Sequence, residues 1–140
     1  MPTVTTNYFR QELAAGHVNL SGADTFAVAL MSAYVSASSI NTLKAQSAWS
    51  DVSANESSSV GYNAITLTAG NLYINDSINA LCWSGTNISW NNISNEPYGL
   101  VIYRINDGLV VGFIDFGGPK EVVNGTLTIE WNTGGIAQII

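Results

Sequence analysis

Cysteine, histidine and basic residues are scarce in this sequence. Cys82 is the only cysteine and His17 the only histidine, which excludes an intrachain disulfide and the usual four-ligand zinc site. Four basic residues stand against ten acidic ones, giving a net charge of −6. Such a chain has no patch that could neutralise several phosphates. We therefore expect neither nucleic-acid binding nor attraction to anionic membranes.

Charge of either sign is also low. Asp, Glu, Lys and Arg make up 10% of the residues, against about 25% in typical soluble domains. A surface built from Ser, Thr, Asn and Gly suits a protein that spends its life packed against others. The alternative is that Asn- and Thr-rich β domains are weakly charged in any case, and composition alone leaves both interpretations open.

Long apolar runs are missing as well. No run approaches the roughly 20 residues of a membrane-spanning helix, and the N-terminus MPTVTTNYF has neither the basic nor the apolar region of a secretory signal. We expect a soluble protein without a signal peptide.

Groups for catalysis are few. Cys82 lies in the apolar stretch 78–83, which predicts a buried, inert thiol. His17 follows a turn, where solvent or the backbone usually satisfies the ring. No calcium loop of the D-x-[DN]-x-[DN]-G type and no glycine-rich phosphate loop occurs. The sequence thus predicts no catalytic, cofactor-binding or metal-binding residues, and no enzyme.

The 140 residues predict one domain that is almost entirely β. Many short strands without intervening helical patterns indicate a β sandwich, a jelly roll or a barrel. Asn106-Asp107-Gly108 and Asn124-Gly125 are typical of hairpin turns. The predicted strands span residues 24–34, 62–68, 72–75, 80–83, 87–91, 100–105, 109–116, 126–131 and 136–140.

Two segments depart from this pattern. Residues 1–20 form an N-terminal arm or short helix, with the helix over 7–15 ended by Gly16. The helix is expected to place Phe9 and Leu13 over one end of the core. Residues 35–59 form a long loop or extension, with a helical turn near 42–48, and are expected to offer an exposed contact surface.

The strand at 109–116 is apolar on both faces apart from Asp115. It is expected to be central, with Gly112 at a bulge or at a close approach of another strand. Asp115 lies either in water at the strand end or beside a partner, for which Arg104 is available.

Exposed aromatic side chains on a β face, and large apolar side chains in the segments 1–20 and 35–59, are the candidates for contacts with other proteins. Trp90 lies between Ser89 and Asn91 in a polar strand, and is expected to be partly exposed. The interface candidates are Tyr8, Phe9, Leu43, Trp49 and Trp90.

Read in order, seven segments resemble the small structural proteins of tailed-bacteriophage heads: AVALMSAY, SDVSANE, GYNAITLT, ISWNNIS, YGLVIYRI, GFIDFGG and NGTLTIEWNTGGI. The resemblance extends from Thr25 to Ile136 and consists of strand patterns. Members of this group are capsid decoration or cement proteins, and one of similar size has a jelly-roll fold.

The resemblance implies an all-β, jelly-roll-like β sandwich with a short N-terminal helix or arm. It also implies a virion protein on the capsid surface, assembled in the host cytoplasm. Its partner would be the major capsid protein, whose neighbouring subunits it bridges, and it would form a dimer or trimer there. One alternative is a tail or fibre component that recognises host-surface glycans by stacking Trp90 or Trp49 on sugar. Another is a glycan-cleaving enzyme that uses Asp115 or Glu130.

Overall fold

Ten β-strands, one α-helix and two short 3-10 helices make up the part of the chain that a computed structural model describes, residues 3–32, 44–67, 69–131 and 135–139. The α-helix, α1, spans Asn7–Ala14, and the 3-10 helices span Trp49–Asp51 and Ser53–Asn55. The strands are β1 (Val4–Thr5), β2 (Phe26–Met31), β3 (Ile65–Leu67), β4 (Ala69–Asn75), β5 (Ala80–Gly85), β6 (Ile88–Asn95), β7 (Gly99–Arg104), β8 (Val110–Asp115), β9 (Val122–Ile129) and β10 (Ala137–Ile139).

The strands form three sheets. The largest has five strands in the order β1-β8-β7-β2-β3, the second has the order β10-β5-β4, and β6 pairs with β9 in the third. Every pairing among these ten strands is antiparallel. The predicted all-β sandwich with a short N-terminal helix is confirmed.

One face of the five-stranded sheet, here called the inner face, packs against the two smaller sheets. Phe26, Val28 and Leu30 of β2 all belong to this core, as the alternation of side chains along a strand requires. The ring of Phe26 meets Trp83 of β5 edge to face, with centroids 5.0 Å apart. Burying one such apolar side chain stabilises the fold by about 1.5–3 kcal/mol, so this core is the main source of stability.

The outer face of the same sheet is covered too. Ala29 and Met31 of β2 and Phe113 of β8 are buried in a second cluster. The cover comes from the 3-10 helices and the residue between them: Val52 is fully buried, and Trp49 packs against the cluster. The expectation that β2 and β8 are central strands covered on both faces is therefore confirmed.

The predicted long loop at 35–59 is divided by this arrangement. Its residues 35–43 lie outside the described residues, and with them the first two residues of the helical turn predicted near 42–48. Within residues 44–59, Trp49 and Val52 pack on the outer face. Isolated bridges join Ala48 to Leu109 and Glu56 to Met31. This half of the segment is therefore joined to the sheet and is not a free extension.

The Tyr62 side chain satisfies a backbone donor of β2 beyond the end of β3. β3 pairs with β2 only as far as Val28, and the Leu30 amide donates instead to Tyr62 Oη at 2.9 Å. The same hydroxyl donates to Glu56 Oε2 at 3.0 Å. Burial raises the pKa of Tyr62, so the phenol remains a neutral donor.

Two glycine positions follow the sequence prediction. Gly108 has φ of 76° and completes the hairpin turn between β7 and β8. At Gly112, a Cβ atom would lie 2.6 Å from the Val4 carbonyl oxygen, which confirms the predicted close approach. The approaching strand, β1, was not predicted because two residues are too few to show a period.

The helix α1 has the expected ends. Thr6 precedes it, and Thr6 Oγ1 accepts a hydrogen bond from the Phe9 amide at 3.1 Å, which satisfies a free donor of the first turn. Gly16, with φ of 79°, follows the helix in the left-handed conformation that commonly ends helices.

Asn124-Gly125 is not a turn, and that prediction was wrong. Both residues lie inside β9, where Asn124 has φ of 46°. The pairing with β6 runs from Trp90 opposite Leu127 to Ile93 opposite Gly125, and then to Asn95 opposite Val122. One extra residue therefore lies first in β6 and then in β9, so the two strands contain a pair of compensating β-bulges. Asn92 of β6 also has a positive φ, 54°.

The backbone at Asn124 generates a stability prediction. Replacing Asn124 with Val should lower the free energy of unfolding by about 1–2 kcal/mol, because the left-handed conformation is strained for a β-branched residue. Asn124→Gly, which tolerates this conformation, should cost less than Asn124→Val. Urea unfolding of both variants measures the difference.

Thr126→Val is the matched control, since it introduces the same side chain at an exposed position two residues along β9. It should change stability by no more than about 0.5 kcal/mol. Equal stability of Asn124→Val and the wild type would contradict the assignment of a strained bulge.

Candidate assembly surface

Two of the five interface candidates are accessible. Tyr8 lies on α1 with 45% of its surface exposed. Trp49 is half-buried and stacks on Tyr103 of β7, with ring centroids 4.4 Å apart and planes 7° from parallel. One face of the Trp49 ring is thus occupied within the chain. Leu43 lies outside the described residues.

The other two candidates are buried. Phe9 is 1% exposed and belongs to the inner core, with Leu13 packed against the same cluster, as the helix prediction required. Trp90 is 3% exposed, and its Nε1 donates to the Asn63 carbonyl at 2.9 Å. The expectation that Trp90 is partly exposed was wrong. Its polar neighbours occupy the outward positions of β6, and the alternation of the strand turns the indole inward.

The largest apolar side chains on the surface include a group that sequence reasoning missed. The hairpin of β4 and β5 exposes four of them, here called the hairpin surface: Leu72 (43% exposed), Ile74 (74%), Ile78 (44%) and Leu81 (37%). Ile74 lies directly opposite Leu81 in the strand pairing, and Leu72 lies opposite Trp83. Because directly opposite residues share a face of the sheet, this is the face that buries Trp83. This face is buried at Trp83 and becomes exposed toward the hairpin turn, at Ile74 and Leu81.

A groove adjoins the hairpin surface. It has a volume of about 460 Å³, and Leu72 and Leu81 form one side of it. Leu13 of α1, with Val18 and Leu20 of the loop that follows, forms the other side. The groove extends the apolar area from the hairpin to the end of the helix.

Charge is nearly absent here. Between Ala69 and Gly85 the sequence has one charged residue, Asp76, in the hairpin turn. β4 is also the outermost strand of its sheet among the described residues. Edge strands of soluble proteins are normally protected by charged residues, proline or a covering element. An apolar edge hairpin with a single charged residue is therefore a candidate for burial against another protein.

The loop that lines the groove is held by Arg104. Its Nη1 donates to the His17 carbonyl at 2.8 Å and to Asp24 Oδ2 at 3.1 Å. Nε and Nη2 donate to the two carboxylate oxygens of Asp107, at 3.0 and 2.8 Å. Trp83 also holds this loop, because its Nε1 donates to the Leu20 carbonyl at 3.0 Å. The groove is therefore preformed by polar contacts beneath it.

Asp115 is not the partner of Arg104, which corrects one of the sequence alternatives. Asp115 lies opposite Gly99, at the other end of β7 from Arg104. Its Oδ1 accepts a hydrogen bond from the Gly117 amide at 2.8 Å, which places it at the strand end.

Two potentially reactive side chains lie near this surface, Cys82 in β5 and His17 in the loop beside the groove. The Cys82 thiol is buried, and His17 Nδ1 lies 3.0 Å from Glu12 Oε2 on the exposed side of α1. Within the ranges that the structure describes, no three His, Cys, Asp or Glu side chains come together as a metal ion requires. What the arrangement offers is contact area.

No family model, no curated protein and no solved structure matches this chain. In the described part of the chain, no helix is long and apolar enough to cross a lipid bilayer. Function is therefore inferred from the hairpin surface and from the composition of the chain.

The contact between Arg104 and Asp107 predicts a pH dependence of stability. Hydrogen bonds from Arg104 hold the pKa of Asp107 below its ordinary value. Since the unfolded pKa is about 3.9, the stabilisation is complete above that pH and is lost as the pH falls through the lower folded value. Asp107→Asn should therefore lose less free energy of unfolding than the wild type between about pH 5 and pH 2.

Denaturant unfolding at a series of pH values measures this. Asp76→Asn is the control, because it removes a carboxylate from an exposed turn remote in sequence from Arg104. It should follow the wild-type profile. A profile of Asp107→Asn that parallels the wild type would contradict the role given to this pair.

Proposed function

We propose that this protein is a structural component of a bacteriophage head, which binds the outer face of the capsid and bridges neighbouring major capsid proteins. The observation behind the proposal is the hairpin surface, an apolar and nearly uncharged edge on a protein with few charges. The resemblance of the strand segments to phage decoration proteins supplies the partner.

The energetics suit a protein that acts in many copies. Burying the exposed parts of four Leu and Ile side chains contributes a few kcal/mol at about 25 cal/mol per Å² of apolar surface. That is modest for one subunit. A protein that binds the assembled shell but not the free capsid protein stabilises the shell by mass action. A dimer or trimer would bind the capsid more tightly than a single subunit does, through avidity.

The preformed groove favours the same role. Arg104 and Trp83 fix the loop that lines it, so little conformational entropy is lost when a partner covers the surface. The glycan-binding alternative has less support. The Trp90 ring is buried, and Tyr103 occupies one face of Trp49, so a sugar could stack only on the other face of Trp49.

Sedimentation with phage heads tests the proposal. Heads of the parent phage assembled without this protein are mixed with the purified protein at micromolar concentration and pelleted. The wild type should pellet with the heads. The double variant Ile74→Ser, Leu81→Ser should bind at least about 10-fold more weakly, a loss of roughly 1.4 kcal/mol, because it removes the directly opposed apolar pair.

Val60→Ser is the matched control, since Val60 is apolar and 95% exposed but lies outside the hairpin. It should pellet like the wild type. A wild-type protein that stays in the supernatant would refute the capsid role. Equal binding by the double variant and the wild type would refute the role of the hairpin surface.

A further inference from the structure

A second cleft lies along β9, in the two-stranded sheet that β9 forms with β6. It has a volume of about 440 Å³. Ile114 and Phe116, at the end of β8, line one side, and Leu127, Ile129 and Trp131 line the other. These residues come from both layers of the sandwich, so the cleft lies where the layers separate at one side.

The cleft follows the open edge of β9. Its lining contains every residue from Thr126 to Trp131. Successive side chains of a strand point to opposite faces, so a cavity lined by six consecutive residues runs along the strand's edge and not over one face. Among the strands of the described residues, β9 pairs only with β6. The edge of β9 that faces the cleft is therefore not paired with any of these strands.

The residues of β9 that line the cleft alternate between polar and apolar, which is the pattern that an added strand would meet. Leu127, Ile129 and Trp131 are half-buried and form an apolar row, and Thr126 and Thr128 lie on the exposed face. The two threonine hydroxyls are already engaged by β6: Thr126 Oγ1 donates to Asn91 Oδ1 at 3.1 Å, and Thr128 Oγ1 lies 2.8 Å from Ser89 Oγ. The threonine side chains are therefore held toward β6 and do not obstruct the cleft.

The charged residues at the rim of the cleft indicate which charge an added strand carries. Glu121 and Glu130 are exposed and line the cleft, with Lys120 as the single base in its lining. The protein as a whole has a net charge of −6. An incoming segment with a basic residue therefore complements the rim.

We propose that this cleft binds an extended segment of a partner polypeptide, which adds as a strand to the edge of β9. Six residues of β9 and its extension span about 20 Å at about 3.3 Å per residue, so the segment is five or six residues long. It is apolar at every second position and contains at least one Lys or Arg. Main-chain hydrogen bonds supply affinity, and the apolar row selects the alternating pattern.

This inference is independent of the capsid role, because it concerns a different surface and holds for any partner protein that offers such a segment. The hairpin surface and the β9 cleft are tested by different variants. Failure of one leaves the other standing.

A synthetic peptide with blocked ends and the sequence KVTVTVK is the probe, added to the full-length isotope-labelled protein and followed by NMR. We expect saturable shifts and slowed amide exchange at residues 126–131. A peptide of the same composition with adjacent valines, KVVVTTK, should bind at least about 10-fold more weakly. N-methylation of alternate amides in KVTVTVK should have the same effect if main-chain pairing supplies the affinity.

The double variant Glu121→Lys, Glu130→Lys tests the rim with two exposed residues that leave the core intact. It should bind KVTVTVK about 10-fold more weakly and the acidic peptide EVTVTVE more tightly than the wild type does. Shifts confined to other strands, or no binding at millimolar peptide, would overturn the proposal. So would concentration-dependent dimerisation through β9 without peptide, because a second copy would then be the occupant.

Discussion

The structure depends on a single constraint, the burial of its five-stranded sheet on both faces. β2, β7 and β8 lie between two apolar clusters, so every element outside that sheet has to cover one side or the other. The two smaller sheets cover the inner face, and the 3-10 helices cover the outer face. Surface that remains apolar after this covering, at the β4–β5 hairpin and along β9, is available for other molecules.

The sequence predicts most of the strands because alternation and turn residues are local signals. DTFAVALM predicts a strand covered on both faces, and β2 is one. The helix at residues 7–15 follows from its spacing and from Gly16. β1 leaves no signal in two residues. Asn124-Gly125 has the same local chemistry in a hairpin turn and in a β-bulge, and only the pairing with β6 distinguishes the two.

The candidate surface is harder to predict, because exposure is set by how far the core extends and not by the residues themselves. Leu72 and Ile74 alternate with polar residues, a pattern that predicts an inward face, and the face does bury Trp83 at one end. No local feature of the sequence shows that the hairpin extends beyond the residues that cover it. Trp90 shows the reverse case. Its polar neighbours suggested exposure, although in an alternating strand they imply that the residue between them points inward.

The compensating bulges of β6 and β9 constrain how the length of this chain can change. Inward positions are Ile88, Trp90 and Ile93 on one strand and Val122, Leu127 and Ile129 on the other, and each set changes its odd-even parity at its bulge. Deleting the extra residue of either bulge would restore regular alternation, whereas deleting a residue elsewhere in either strand would turn the inward positions beyond it outward. Homologous chains that differ in length here are therefore expected to gain or lose a residue at a bulge and not elsewhere in these two strands.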